Sequence, residues 1–339
     1  MECRTLIVIA ASAGGLEALE ALVGGLPRGL PAAVCVVLHI GSRRSEAPRI
    51  LTKAGALTAT HPADGEAIRC GHIYVAPPDH HLLVEPGRLH LTRGPRENGT
   101  RPAADPLFRS AADAYGRQVI GVVLSGTLSD GTAGCSAIKR RGGTTVVQDP
   151  AEARFPGMPR SALRSVAIDH RARAAEMGPL LARLVQAPNP TLSPVPRRAG
   201  RPHAVKEDTN MEGEYDLNVP VSLTCPDCGG AMREATMDSL PYFTCHIGHR
   251  YGADSMDEAQ FQMMEQAFEA AVRALNERAA LCQRLAEGAR SKGLALSAKR
   301  WEEAGREARE RAQVLVRFLA QDWIRPLPNA EDEKETDEA

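Results

Sequence analysis

Three side chains far apart in the sequence have the types that acyl transfer requires: Ser12, His39 and Asp130. Ser12 lies in "VIAASAGGLEAL", residues 8–19, where an apolar run ends in small residues and an amphipathic stretch begins. His39 closes the β-branched run "AAVCVVLHI", and Asp130 lies in "VVLSGTLSDGTAG", where another apolar run gives way to glycine and a helical pattern. A hydroxyl, an imidazole and a carboxylate lifted to one sheet edge have the roles of nucleophile, general base and orienting group. Each also has a plainer reading. The small residues serve tight packing, a strand-end histidine serves structure, and aspartate before glycine serves as a turn or N-cap residue. Gly14 and Gly15 let the following helix approach its strand, so unpaired N–H groups near Ala13 face whatever sits above Ser12. That turn could hold an oxyanion or a phosphate. A dinucleotide fingerprint would need G-x-G-x-x-G where this chain has A-A-S-A-G-G, and no Walker lysine follows.

A second cluster has metal-ligand spacing. "CPDCGG" and "YFTCHIGHRY" form C-x2-C, sixteen residues, then C-x3-H. Cys225, Cys228, Cys245 and His249 are the expected ligands of a structural zinc, with His246 as the alternate fourth. Four protein ligands leave no open position for zinc catalysis. A module this small lacks a core of its own, so the metal would supply its folding free energy. A redox C-x-x-C and unliganded thiols are the other readings.

The elements that must position these groups follow from periodicity. Residues 4–186 alternate short β-branched runs with helical patterns, the rhythm of a parallel sheet wrapped by helices. Strands are expected at "TLIVIA", "AAVCVVLHI", "HIYVAP", "VIGVVLSG" and "TTVVQD", and helices at "GGLEALEALVGGLP", "DPLFRSAADAYG" and "GTAGCSAIKRRGG". "HHLLVEPGRLHLTRG" reads as an antiparallel hairpin turning at Pro86 and Gly87. The expected fold class is therefore α/β, a doubly wound, mostly parallel three-layer sheet of Rossmann-like kind with a hairpin insertion. A small zinc module and an α-helical hairpin are added to it. The expected boundaries are 1–186 for the catalytic domain, 187–218 for a flexible proline- and charge-rich linker, and 219–253 for the knuckle. An antiparallel helical pair at 254–325, folding back near "GARSKG", and a disordered acidic tail at 326–339 complete the chain. Phe261, Met264, Phe268 and Leu275 recur at helical spacing. Trp301 and Trp323 fit packing between the two helices, or docking onto a helical partner.

Composition narrows the class. The chain has 339 residues, enough for two compact units, and a formal net charge of −1 that argues against whole-chain affinity for nucleic acid or anionic lipid. No apolar run has membrane-spanning length and no secretory signal opens the chain, so a cytoplasmic protein without membrane insertion is expected. Cys3, Cys35, Cys70 and Cys135 are scattered among apolar and small residues, which predicts reduced thiols.

Six blocks then carry a resemblance. "AASAGGLEAL", "VVLHI", "GHIYVAPPDHHL", "RPAADPLFRSAA", "VVLSGTLSDGTAG" and "VVQDPAEARFPGMPRSAL" occur in the order and spacing of the chemotaxis protein-glutamate methylesterase (CheB-type) catalytic domain. The resemblance covers residues 4–186. It implies Ser12 as nucleophile, His39 as general base and Asp130 as the carboxylate orienting the imidazole. It implies Thr127 N–H beside Ala13 N–H as oxyanion donors and no catalytic cofactor. The implied partner is a methylated chemoreceptor or receptor-like helical bundle, whose glutamyl methyl esters or glutamine amides are the substrate. Similar knuckle-plus-helix tails accompany receiverless relatives, and the expected absence of a preceding receiver domain moves regulation to the C-terminal half or to a signalling partner. The chain departs from the family at Ala10 and Ala13, commonly glycine and threonine, and at Leu128, commonly glycine. A left-handed backbone at Leu128 would be strained by its side chain. "GSRRSEAPRIL" lacks the family's Met-Pro, and its Arg43, Arg44 and Arg49 are either a docking surface or solvated cations. The rival to the hydrolase is a non-catalytic signalling scaffold that binds receptor-like helices.

Overall fold

The computed structural model describes residues 3–39, 45–186, 223–237 and 240–323. Arg43 and Arg44, the 187–218 linker and the 326–339 tail lie outside these residues. The chain divides into two compact units, Met1–Glu258 and Ala259–Ala339.

The first unit runs β1 (Thr5–Ala11), α1 (Gly15–Gly24), β2 (Ala32–Leu38), α2 (Ala47–Ala54), β3 (Thr58–Thr60) and β4 (His72–Val75). It continues with β5 (His81–Glu85), β6 (Arg88–Thr92), α3 (Ala104–Tyr115), β7 (Val119–Val123) and α4 (Thr132–Arg140). Then come β8 (Thr144–Gln148), α5 (Gly157–Ser165), β9 (His170–Ala172) and α6 (Ala174–Gln186). Seven strands make one sheet in the order β3-β4-β2-β1-β7-β8-β9, parallel at every pairing. The expected doubly wound α/β fold is therefore the observed one. β5 and β6 form a separate antiparallel hairpin turning at Pro86 and Gly87, as the sequence predicts.

β1 explains why the sheet has two covered faces. Leu6, Val8 and Ala10 join one buried cluster with Phe108 and Ile138, while Ile7, Ile9 and Ala11 join the other with Leu19 and Leu22. A period of two within a continuous apolar run thus feeds both helical layers. Each fully buried Leu or Ile there stabilises the fold by roughly 1.5–3 kcal/mol. Strand order reverses between β1 and β7, because β2 departs on one side and β8 on the other. The carboxyl edge at such a reversal is where open α/β sheets bind ligands.

The thiol expectation needs correction at one pair. Cys35 and Cys135 are free and buried, but Cys3 and Cys70 form a disulfide with a Cα–Cα distance of 5.1 Å. Parallel topology is the reason: Cys3 precedes β1, Cys70 precedes β4, and both strands enter the sheet at the same edge on either side of β2. Sequence separation of 67 residues hides that proximity.

The unit also holds a three-stranded antiparallel sheet, β10 (Met232–Met237), β11 (Leu240–Cys245) and β12 (Arg250–Gly252). A long helix, α7 (Ala253–Ser291), begins at its end. In the second unit the later part of α7 packs against α8 (Ala295–Leu319). Phe268 meets Phe318 at 5.2 Å between ring centroids, and Trp323 sits edge-on to both Phe318 and Phe261. Trp323 therefore caps the aromatic contacts of the helical pair while remaining exposed, as the Trp301 side chain also is.

Candidate active site and metal centre

β1 and β2 pair in register through Ala11 and Leu38, so Ser12 and His39 are the next residues of two adjacent parallel strands. The His39 N–H donates to Ala11 O at 3.1 Å, which ties the two strand ends together. Asp130 arrives from the neighbouring strand β7 on the loop 124–131. The structure brings His39 and Asp130 into direct contact: His39 Nε2 donates to Asp130 Oδ2 at 3.0 Å. The Ser12 hydroxyl stands at the same edge without a hydrogen bond to His39 among the described residues. Catalytic hydrogen bonds are often unformed before substrate binds.

The turn around Ser12 is as tight as its small residues suggest. Gly14 has φ of 64°, a left-handed conformation that favours glycine. A Cβ at Gly15 would lie 2.8 Å from Ala11 Cβ and 2.9 Å from Ser125 O. Gly126 closes on the serine from the other side, since a Cβ there would lie 2.8 Å from Ser12 Cβ and 2.1 Å from Met158 Sδ. The N–H of Ser12 donates to Ser125 O and that of Gly126 to Phe155 O. The N–H groups of Ala13, Gly14 and Thr127 make no hydrogen bond among the described residues, which leaves three donors beside the serine. Leu128 has φ of 63°, the strained left-handed backbone anticipated from its replacement of glycine.

Asp130 is buried and surrounded by donors. Besides His39 it accepts from Ala104 N at 2.6 Å, Asp105 N at 3.2 Å and Asn98 Nδ2 at 2.9 Å. Burial opposes its ionisation, but the His39 contact and these donors outweigh it and hold its carboxyl below the usual range. A second buried carboxyl, Asp105, accepts from Gly131 N, Gly134 N and Asn98 Nδ2. Burial and the nearby Asp130 charge push it up to about 7. Sequence reasoning missed Asn98 and Asp105. "ENGT" reads as a turn and an aspartate opening a helix reads as a cap, so neither signals contact with Asp130.

Arg154 and Phe155 flank the serine turn, and a Cβ at Gly14 would meet both side chains within 3.1 Å. Arg49, one of the three candidate docking cations, is exposed and pairs with Glu46 at 2.7 Å.

The Cys225, Cys228, Cys245 and His249 donor atoms lie within 4.8 Å of one another. Cys228 and Cys245 sulfurs are 3.8 Å apart, and His249 Nδ1 is 3.6 Å from Cys225 Sγ and 3.5 Å from Cys245 Sγ. Tetrahedral zinc with ordinary bond lengths needs edges of about 3.8 Å between sulfurs and about 3.6 Å between sulfur and nitrogen. The residues therefore fit a metal of that kind. Burial raises the Cys245 thiol, yet N–H groups of His249, Ile247 and Gly248 outweigh it and hold the thiol at about 6. His246 is not in the donor set; its ring lies over Gly230.

The CheB methylesterase family model matches residues 7–181. A Leptospira interrogans protein, provisionally named protein-glutamate methylesterase/protein-glutamine glutaminase, is 39% identical over 182 residues, 53% of this chain and 94% of its own length. The chain belongs to the CheB methylesterase family. Another relative, the protein-glutamate methylesterase FrzG of Myxococcus xanthus, is 39% identical over 160 residues, 47% of this chain and 48% of its own. The crystal structure of the Thermotoga maritima CheB methylesterase catalytic domain aligns with a TM-score of 0.52 and 31% identity, covering 53% of this chain and 98% of that one. The CheB match contains Ser12, His39, Asn98, Asp105 and Asp130, and the knuckle lies beyond it.

Proposed function

We propose that this chain is a protein-glutamate methylesterase that hydrolyses glutamyl methyl esters, and glutamine amides in the same way, on chemoreceptor-type signalling proteins. The observation that carries the reading is the His39–Asp130 hydrogen bond at the end of the strand beside Ser12. His39 Nε2 is committed to Asp130, so Nδ1 is the nitrogen that takes the Ser12 proton as the hydroxyl attacks the ester carbonyl. Asp130 stays ionised and stabilises the imidazolium that forms. Ala13 and Thr127 N–H groups receive the developing oxyanion, each typically worth ~3 kcal/mol. The protonated imidazole gives its proton to the leaving methoxide, and methanol departs. Water activated by His39 then attacks the acyl-serine, restoring Ser12 and releasing glutamate. A glutamine amide follows the same path with ammonia leaving.

Zinc held by Cys225, Cys228, Cys245 and His249 would supply folding free energy to the knuckle. The described residues contain no helix long and apolar enough to cross a membrane, which suits a cytoplasmic enzyme acting on a receptor's signalling bundle. The test is labelling by a serine-directed fluorophosphonate. Wild type should be labelled and Ser12→Ala should not; equal labelling, or none of either, would favour the scaffold.

A further inference from the structure

The knuckle reaches the triad carboxylate through one side chain. Asn98 N–H donates to Arg250 O at 2.7 Å, and Gly252 N–H donates to Asn98 Oδ1 at 2.9 Å. Arg250 N–H donates in turn to Arg96 O at 3.2 Å, so β12 lies along the 96–98 segment as a short added strand. The two hydrogens of the Asn98 amide go elsewhere, one to Asp130 Oδ1 and one to Asp105 Oδ2, each at 2.9 Å. Every polar atom of the amide is thus engaged: its oxygen accepts from the knuckle, and its two N–H groups donate to the two buried carboxyl groups. Asn98 is itself buried and has φ of 52°, a left-handed conformation that asparagine tolerates in a turn before Gly99.

Neighbouring contacts reinforce the seam. Glu97 receives both Arg109 hydrogen bonds from α3 at 2.7 Å and the Tyr242 hydroxyl from β11 at 3.2 Å. Ser129, beside Asp130, is 3.2 Å from Ser255 through their hydroxyls. The strand that grips Asn98 begins directly after His249, whose carbonyl accepts from Cys245 N–H. Two of the four metal donors therefore set the position of β12.

We infer that Asn98 is a positioning residue through which metal occupancy of the knuckle fixes the orientation of Asp130, making the knuckle a working part of the esterase. With Arg250 and Gly252 in place, the amide can turn only one way, and its N–H points at Asp130. Without them Asn98 loses the partners of its acceptor and backbone, and Asp130 loses a donor inside a buried site. The inference rests on the triad reading above.

The full-length protein loaded with zinc is compared with the same protein stripped by chelator and with stripped protein given zinc sulfate again. Phosphonylation of Ser12 by a fluorophosphonate is resolved into its maximal rate and its half-saturating concentration, and hydrogen exchange is followed across the chain. Stripping should lower the maximal rate at least tenfold, leave the half-saturating concentration within about twofold, and speed exchange at 97–105 and 129–134 but not in β1, β2 or β7. Zinc should restore all three. Asn98→Ala should begin near the stripped rate and lose nothing more on stripping, since the link is already cut. If exchange shows that variant unfolded, Asn98→Asp takes its place. It keeps the Gly252 contact and zinc but sets a third carboxyl where the amide donated to Asp130 and Asp105, so it should begin below the stripped wild-type rate and lose nothing more on stripping. An unchanged rate and exchange on stripping would overturn the inference, as would an equal further loss in the Asn98 variant. Failure of the triad reading shows separately, as zinc-loaded wild type that is not labelled at Ser12 while the exchange response remains measurable.

Discussion

His39 Nε2 donates to Asp130 Oδ2 at 3.0 Å, and the same carboxylate accepts from Ala104, Asp105 and Asn98. Four donors fix a buried anion whose own burial disfavours charge, so its orientation is built from the surrounding fold. Asp130→Asn keeps the shape but removes the charge that holds the imidazole in its tautomer. Its turnover should fall by roughly 10³–10⁴-fold with the thermal midpoint little changed. Steady-state kinetics beside a melting curve checks this, and turnover within tenfold of wild type would remove Asp130 from the mechanism.

Gly126 packs its backbone against the Ser12 side chain. A methyl there would sit 2.1 Å from Met158 Sδ and 2.8 Å from Ser12 Cβ. Gly126→Ala should therefore displace the serine turn, with a stability loss of about 1–3 kcal/mol from overpacking. Fluorophosphonate labelling should slow by more than tenfold, and labelling at the wild-type rate would show that the turn has slack.

Leu128 separates strain from packing. Its φ of 63° is unfavourable with any Cβ present. Leu128→Gly and Leu128→Ala both lose the half-buried side chain, but only the first relieves the backbone. Urea unfolding should place the glycine variant about 1 kcal/mol above the alanine variant. Equal midpoints would argue that the loop relaxes without glycine.

Asp105 predicts a pH signature. Its carboxyl is raised to about 7 by burial and by the Asp130 charge. The folded state therefore holds a proton that the unfolded chain releases near pH 4. The stabilisation from this group is complete below that value and disappears as pH rises toward about 7, at up to ~1.4 kcal/mol per pH unit. Asp105→Asn does not titrate, so its stability relative to wild type should improve from pH 5 to 7 and level off above. Denaturant titrations across that range check the sign; a pH-independent difference would contradict it.

The knuckle predicts stoichiometry. Cys225→Ser removes one of four donors, so zinc found near one per chain in wild type should be lost from the variant. Metal analysis after gel filtration decides, and full zinc retention would point to a different ligand set.

Much of this arrangement was legible in the residues. Long β-branched runs marked the central strands, because a strand buried on both faces must be apolar throughout, and Pro86 with Gly87 marked the hairpin. β3 and β9 escaped, since "TAT" and "HRA" are three residues each and lack an apolar run. Ser12 and His39 were legible as strand ends. Asn98 and Asp105 were not, because their importance comes from neighbours brought in by distant elements: Gly252 lies 154 residues from Asn98. The Cys3–Cys70 bond belongs to the same class, a proximity that only sheet topology creates.

The account stands on Ser12 as a nucleophile toward a glutamyl ester. Its most direct test is methanol release from a receptor fragment methyl-esterified at glutamate, with wild type and Ser12→Ala side by side. Wild type should release methanol stoichiometric with the glutamate formed, and Ser12→Ala should stay at the uncatalysed rate. Equal release by the two proteins, or none by wild type on a confirmed methylated fragment, would contradict it.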